Sequence, residues 1–139
     1  MNNSQRALSS MIAVVAVDGV NDAPVKLAGK LGLAKGHFVH VIPGVSPGLH
    51  ENVERAESFI ARQKAEQELA PRYQREGWTF EVCESAESVG HELCAAAERH
   101  RAELLVVGHS SRAWIETLLM GSTAVYCTKN SKCSVLVAK

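Results

Sequence analysis

The chain has 139 residues, of which 46% are hydrophobic and 22% charged, with fifteen basic residues balancing fifteen acidic ones. That composition belongs to a globular protein and excludes a disordered or collagen-like chain. A zero formal net charge excludes a nucleic-acid binder driven by a general positive field, while leaving room for one local anion site.

Residues 1–10 are polar and read as a flexible tail, and residues 11–139 as one domain. The first strong segment is Met11-Ile-Ala-Val-Val-Ala-Val17, which is β-branched, continuous and apolar. Such a run suits a strand covered on both faces of a parallel sheet. It is far shorter than the roughly 20 residues of a membrane span, and no secretory signal precedes it, so a cytoplasmic location is expected. Asp18-Gly19 closes the strand. Asp22 offers a helix N-cap, with Pro24 in the first turn and Val25, Ala28 and Leu31 at helical spacing. A second strand runs from His37 to Ile42 and is stopped by Pro43-Gly44.

A long polar helix is expected from about Glu51 to Glu76. Val53, Ala56, Ile60, Ala65, Leu69 and Tyr73 form its apolar stripe, and Glu51–Arg55 and Glu68–Arg72 its favourable charge pairs. Pro71 should kink or break it near its end. A third strand covers Trp78 to Cys83. Ser88 then caps a helix carrying Val89, Leu93, Ala96 and Ala97. The fourth strand is Glu103 to Val107, closed by Gly108, and a long loop follows to Gly121. A last helix runs from Ser122 to Asn130 and a last strand from Ser134 to Ala138.

Strands and helices alternate, so the expected architecture is a three-layer α/β sandwich, Rossmann-like, with five parallel strands and four helices. Open parallel sheets bind ligands beyond the carboxyl ends of their strands. The informative stretch is therefore Gly108 to Thr123. A glycine ends the strand, Ser110 and Ser111 follow, and Gly121-Ser122-Thr123 opens a helix. A helix N-terminus carries free N–H groups and partial positive charge, which suit a phosphate. The same residues also fit plain helix capping by Ser122. Asp18 has two readings as well: it starts a turn through its own side chain, or it accepts hydrogen bonds from an adenine or ribose.

Other chemistries lack their residues. The chain has no Walker-type phosphate loop, no dinucleotide-binding Gly-x-Gly-x-x-Gly after the first strand and no Gly-x-Ser-x-Gly elbow. Cys83, Cys94, Cys127 and Cys133 form no Cys-x-x-Cys pair and read as small buried hydrophobes. His37 and His40 point to opposite faces of a strand and cannot share a metal. No general base is evident, so the chain is not read as an enzyme. An adenylating ligase would need a Ser- and Gly-rich phosphate loop after the first strand, which is absent.

Val15-Ala-Val-Asp18-Gly19, His40-Val41, Leu104-Leu-Val-Val-Gly108, and Gly121-Ser122 through Cys133-Ser-Val-Leu-Val137 together resemble the universal stress protein family. ATP-binding members of that family carry Gly, two residues, Gly, nine residues, then Gly and Ser or Thr. Here Gly108, two residues, Ser111, nine residues and Gly121-Ser122 reproduce the spacing, with serine at the second glycine position. Val20 stands where the family usually has serine, and Ser134 where it usually has proline.

The resemblance implies a strand order of 3-2-1-4-5 and an ATP or AMP site between strands one and four, with hydrolysis slow or absent. It implies that Asp18 contacts adenine or ribose, with Ala16 and Val41 beside the base. Val107 and Gly108 would line the ribose and α-phosphate, and Gly121, Ser122 and Thr123 would hold phosphates, sometimes with Mg²⁺. Ser111 belongs to the same motif, and Arg112 is a candidate phosphate ligand beside it. Trp114 is either a core anchor or a lid. The alternative is a dimeric interaction module that binds no nucleotide. The last strand, Ser134, Val135, Leu136, Val137 and Ala138, is strongly β-prone and flanked only by Lys132 and Lys139, so a homodimer through this edge is expected, as the resemblance also implies.

Overall fold

A computed structural model describes residues 3–44, 51–109 and 121–139, with side chains described for 7–44, 55–109 and 121–139. Ser110, Ser111, Arg112 and Trp114 lie outside the described residues, as do the side chains of Glu51 and Val53.

The strands are β1 (Ile12–Ala16), β2 (Lys35–Pro43), β3 (Trp78–Ser85), β4 (Leu104–Gly108) and β5 (Ser134–Ala138). They form one sheet in the order β3-β2-β1-β4-β5, and every neighbouring pair is parallel. In the central strand Ala13, Val14 and Val15 are all fully buried, as a run apolar on both faces requires.

The helices are α1 (Asn3–Ser10), α2 (Ala23–Lys30), α3 (Glu51–Leu69), α4 (Val89–Arg99) and α5 (Ser122–Asn130). Helices α2 and α3 cover one face, where Ala28, Ala65 and Leu69 pack with Val15, Phe38, Trp78 and Val106. Helices α4 and α5 cover the other, where Leu93, Ala96, Ala97, Ala124 and Cys127 pack with Val14, Val39, Leu105 and Val107. The result is the expected three-layer sandwich.

Four local expectations change. Asn3–Ser10 forms a helix where the sequence reads as a tail. Gln5-Arg-Ala-Leu are good helix formers, and the amide of Met11 bonds the Leu8 carbonyl at 3.2 Å to end it. Helix α3 stops at Leu69, two residues before Pro71, and a 3-10 turn over Ala70–Tyr73 replaces its last expected turn. Its buried face also differs. Ala65, Leu69 and Tyr73 are buried as expected, but Ala56 is exposed and Ile60 is 62% exposed, whereas Ser58 is buried. The helix approaches the sheet with small residues there, so apolarity alone misplaces the stripe. Arg72 bonds across to the β1–α2 loop, and a Glu68–Arg72 pair is not among the ion pairs of the described residues.

Candidate functional site

The sheet order reverses at β1, whose neighbours are β2 and β4. The crossovers leave β1 in opposite directions, the arrangement in which open parallel sheets bind ligands beyond the carboxyl ends of the flanking strands, here β1 and β4. Val15 stands opposite Val106, and Ala16 opposite Val39. Side chains alternate along a strand, so Ala16, Val41 and Val107 share the α4/α5 face of the sheet. Val107 is buried, while Ala16 and Val41 are half-buried.

The loop between β1 and α2 is built by its own side chains. Oδ1 of Asp18 accepts from the amides of Val20 and Asn21, both at 2.7 Å. This is the turn-starting role anticipated for Asp18, performed by an exposed carboxylate. Gly19 adopts φ +79°, a conformation that glycine takes without a Cβ penalty. A Cβ there would also lie 2.7 Å from Leu69 Cδ2. Arg72 tethers the loop: its Nη1 donates to the Gly19 carbonyl at 2.9 Å and its Nη2 lies 3.7 Å from Asp22 Oδ1.

Asp22 occupies the N-cap position of α2 but makes no side-chain cap bond. Asn21, one residue earlier, instead satisfies the first helical amide, its Oδ1 accepting from Ala23 at 3.0 Å. The Nδ2 of Asn21 lies 2.8 Å from where a Cβ on Gly108 would sit, so the loop rests directly on the end of β4. Asn21 was not anticipated, although an Asn just before the helix start is a recognisable capping signal. On the β2 side, His40 Nδ1 lies 2.8 Å from the Val17 carbonyl. A carbonyl only accepts, so Nδ1 carries the proton and donates.

Beyond β4 the backbone is fixed at both ends of the long connection. The His109 amide donates to Ala138 at 2.8 Å, and the Gly121 amide donates to His109 at 2.7 Å. Gly121 is the N-cap of α5, with no side-chain cap bond, and its carbonyl accepts from Val125 at 3.1 Å. Ser122 is therefore the first residue of the helix and does not cap it. Ser122 is exposed and Thr123 half-buried. A helix start whose N-cap residue has no side chain presents about half a positive charge, and among the described residues no side chain caps its first amides.

The structure thus brings Ala16, Val41 and Val107 onto one face, and joins the Asp18 loop to Gly108 through Asn21. It ties Gly121 to His109, one residue past Gly108. Among the described residues no group of three or more His, Cys, Asp or Glu is placed to hold a metal ion. Among them, too, no helix is long and apolar enough to cross a membrane.

A model of the universal stress protein family matches residues 11–139. A universal stress protein of Methanocaldococcus jannaschii, MJ0531, is 39% identical over 49 residues, a stretch covering 35% of this chain and 29% of that protein. The fold resembles the hypothetical protein MJ0577, with a TM-score of 0.74 at 16% identity, covering 93% of this chain and 95% of that one. It also resembles the universal stress protein of Archaeoglobus fulgidus in complex with dAMP, at TM-score 0.53 and 20% identity, over 93% and 98% of the two chains. A universal stress protein in complex with cAMP matches at TM-score 0.56 and 20% identity, over 92% and 95%.

Proposed function

From the premise that this chain belongs to the universal stress protein family, we propose that it is a cytoplasmic regulatory protein that binds an adenine nucleotide, ATP or AMP, in the crevice between β1 and β4. Adenine lies against Ala16 and Val41 with Asp18 at its edge or at the ribose. Val107 and Gly108 line the ribose and α-phosphate. Gly121, Ser122 and Thr123 take the phosphates with their amides and hydroxyls, and Ser111 and Arg112 complete the phosphate side. Mg²⁺ would arrive on the phosphates of ATP, and hydrolysis is slow or absent.

The observation that carries this reading is the start of α5, where Gly121 leaves the first amides without a side-chain cap. Two proteins of this fold that are complexes with cAMP and dAMP support the choice of an adenine nucleotide. The second reading, a dimeric module that binds no nucleotide, is favoured by Val20. This residue is 80% exposed on the β1–α2 loop and offers no side-chain hydrogen bond to a ligand. Either way β5 is an edge strand, and we place the homodimer along Ser134, Val135, Leu136, Val137 and Ala138.

Thermal unfolding with and without millimolar ATP and Mg²⁺ separates the two. Ligand at 100 times its Kd adds about 2.7 kcal/mol, which raises the melting temperature measurably. AMP alone should do the same if the base and ribose dominate. No shift with ATP, ADP or AMP favours the module without nucleotide, and binding that appears only in Ser111→Gly assigns the loss to that Cβ. Native mass of Leu136→Pro tests the edge: an unchanged dimer mass excludes β5 as the interface.

A further inference from the structure

At the opposite end of the sheet, the start of β2 and the end of α4 share a cluster of titratable groups that the nucleotide reading does not use. The imidazoles of His37 and His100 stack with centroids 3.7 Å apart and planes 15° from parallel. His37 Nδ1 lies 2.6 Å from Thr79 Oγ1, its register neighbour on β3. His100 Nε2 lies 2.5 Å from Glu81 Oε1, and Arg99 Nη2 donates to the same oxygen at 3.0 Å. Arg99 also reaches Cys83 Sγ at 3.5 Å and lies 4.0 Å from Glu92 Oε1.

These contacts fasten the last turn of α4 to β2 and β3, and that turn needs fastening. Arg101 directly after it has φ +52°, the left-handed region that disfavours a residue with a Cβ. The amides of Arg101 and Ala102 nonetheless close the helix end onto Glu98 and Ala97 at 3.0 and 2.8 Å.

We propose that the His37–His100 stack, with Glu81 and Arg99, is an acid-sensitive clasp that holds the C-terminal end of α4 on the sheet and loosens when His37 takes up a proton. The charged groups around His37 decide the sign. From α4 come His100 and the Arg99 cation, and from β3 the Glu81 carboxylate. Thr79 of β3 and Val14 of β1, its other register neighbours, carry no charge. Glu81 is already engaged by both His100 and Arg99. A proton on His37 therefore adds a positive charge to a stack that has no carboxylate left for it.

The titration follows the same direction. Burial, then His100, hold the pKa of His37 below that of a free histidine, with Arg99 adding to the effect and Glu81 opposing it. A histidine depressed in the folded state contributes stability that is present above about pH 6.5, its unfolded value. That stability is lost as the pH falls through the depressed value. Burial alone would push the Glu81 carboxyl up, but the His100 hydrogen bond and Arg99 together outweigh it and hold the carboxyl below its ordinary value, so it stays ionised across this window.

The test follows urea unfolding midpoints from pH 7.5 to 5.5, backbone hydrogen exchange at Ala97–Arg101, and the ring ¹⁵N shifts of His37. Wild type should lose midpoint and exchange protection at the end of α4 as the pH falls. His37→Phe keeps a flat ring on His100 but cannot titrate, so its loss should be smaller. Glu81→Gln removes the one carboxylate at the stack and should steepen the loss. If His37 in the wild type titrates at or above a free histidine, the proposal is overturned, whatever the variants do. Equal losses in wild type and His37→Phe, or acid exchange that leaves Ala97–Arg101 protected, overturn it as well.

Discussion

Replacing Gly90 with alanine tests how closely α4 approaches α5. A Cβ at Gly90 would lie 2.8, 2.9 and 3.0 Å from Cβ, Cδ1 and Cγ of Tyr126. Carbon pairs are comfortable at about 3.5–4.0 Å, so all three contacts are too short. The nearest atom is Tyr126 Cβ, next to its backbone, so rotating the ring does not relieve the clash and the helices must separate. The Cys127 thiol, which donates to the Gly90 carbonyl at 3.8 Å, would be drawn away too. Overpacking of this kind costs about 1–3 kcal/mol. Alanine returns at most about 1 kcal/mol of helix propensity, and less so near a helix start. The net expectation is a loss of about 1 kcal/mol, or roughly 4 °C in melting temperature for a chain of this size. Calorimetry and urea unfolding measure it. Because Tyr126 rides on α5, the nucleotide binding proposed above should weaken in parallel. A Gly90→Ala protein at least as stable as wild type would mean that propensity decides and the helices are not in close contact.

Three further substitutions or reactions have expected outcomes. Ser58 is buried, and among the described residues its hydroxyl has no partner, so Ser58→Ala should raise stability by about 1 kcal/mol in urea unfolding; a loss would reveal a partner for that oxygen. Arg101→Gly relieves the left-handed strain of about 1–2 kcal/mol, less the extra chain entropy of glycine. A net gain of about 0.5–1 kcal/mol is expected, and no gain would mean that the Arg101 side chain contributes as much as its backbone costs. Burial first, and then Cys94, push the Cys127 thiol up to about 12. Iodoacetamide at pH 8 should therefore leave Cys127 unmodified in peptide mass spectra until the protein is unfolded, whereas rapid native labelling would contradict its burial.

The strands were legible as short β-prone runs, four of them marked on at least one side by Gly, Pro or Asp and β5 by its lysine flanks, and the order β3-β2-β1-β4-β5 followed from the family resemblance. The capping of α4 by Ser88 was legible too, and its Oγ accepts from the His91 amide at 3.0 Å. Helix α3 and the burial of Ala65, Leu69 and Tyr73 were legible as well, but not its earlier turns, where a buried Ser58 beside an exposed Phe59 and Ile60 reverses what apolarity predicts. Asp18 and Gly108 stood out as residues that close strands, whereas Ala16, Val41 and Val107 came only from the family resemblance; the structure sets these three on one sheet face. The turn made by Asp18 emerged as one of two readings, but the roles of Asn21 and Arg72 did not. Arg72 reaches Gly19 across 53 positions of sequence, and no local pattern encodes such a contact. The same holds for His37 and His100. Their stacking needs the β2–β3 register and the end of α4 to be known together, and His37 read alone offers only a question about metal binding.

The central claim is that the bare start of α5 receives nucleotide phosphates at the crevice beside β1 and β4. Titrating ¹⁵N-labelled protein with ATP and following the amides of Ser122 and Thr123 tests it most directly. Saturable shifts at these two amides, accompanied by Ala16 and Val41, are expected. Amides that stay still at millimolar ATP, or move only at residues remote from the crevice, would contradict it.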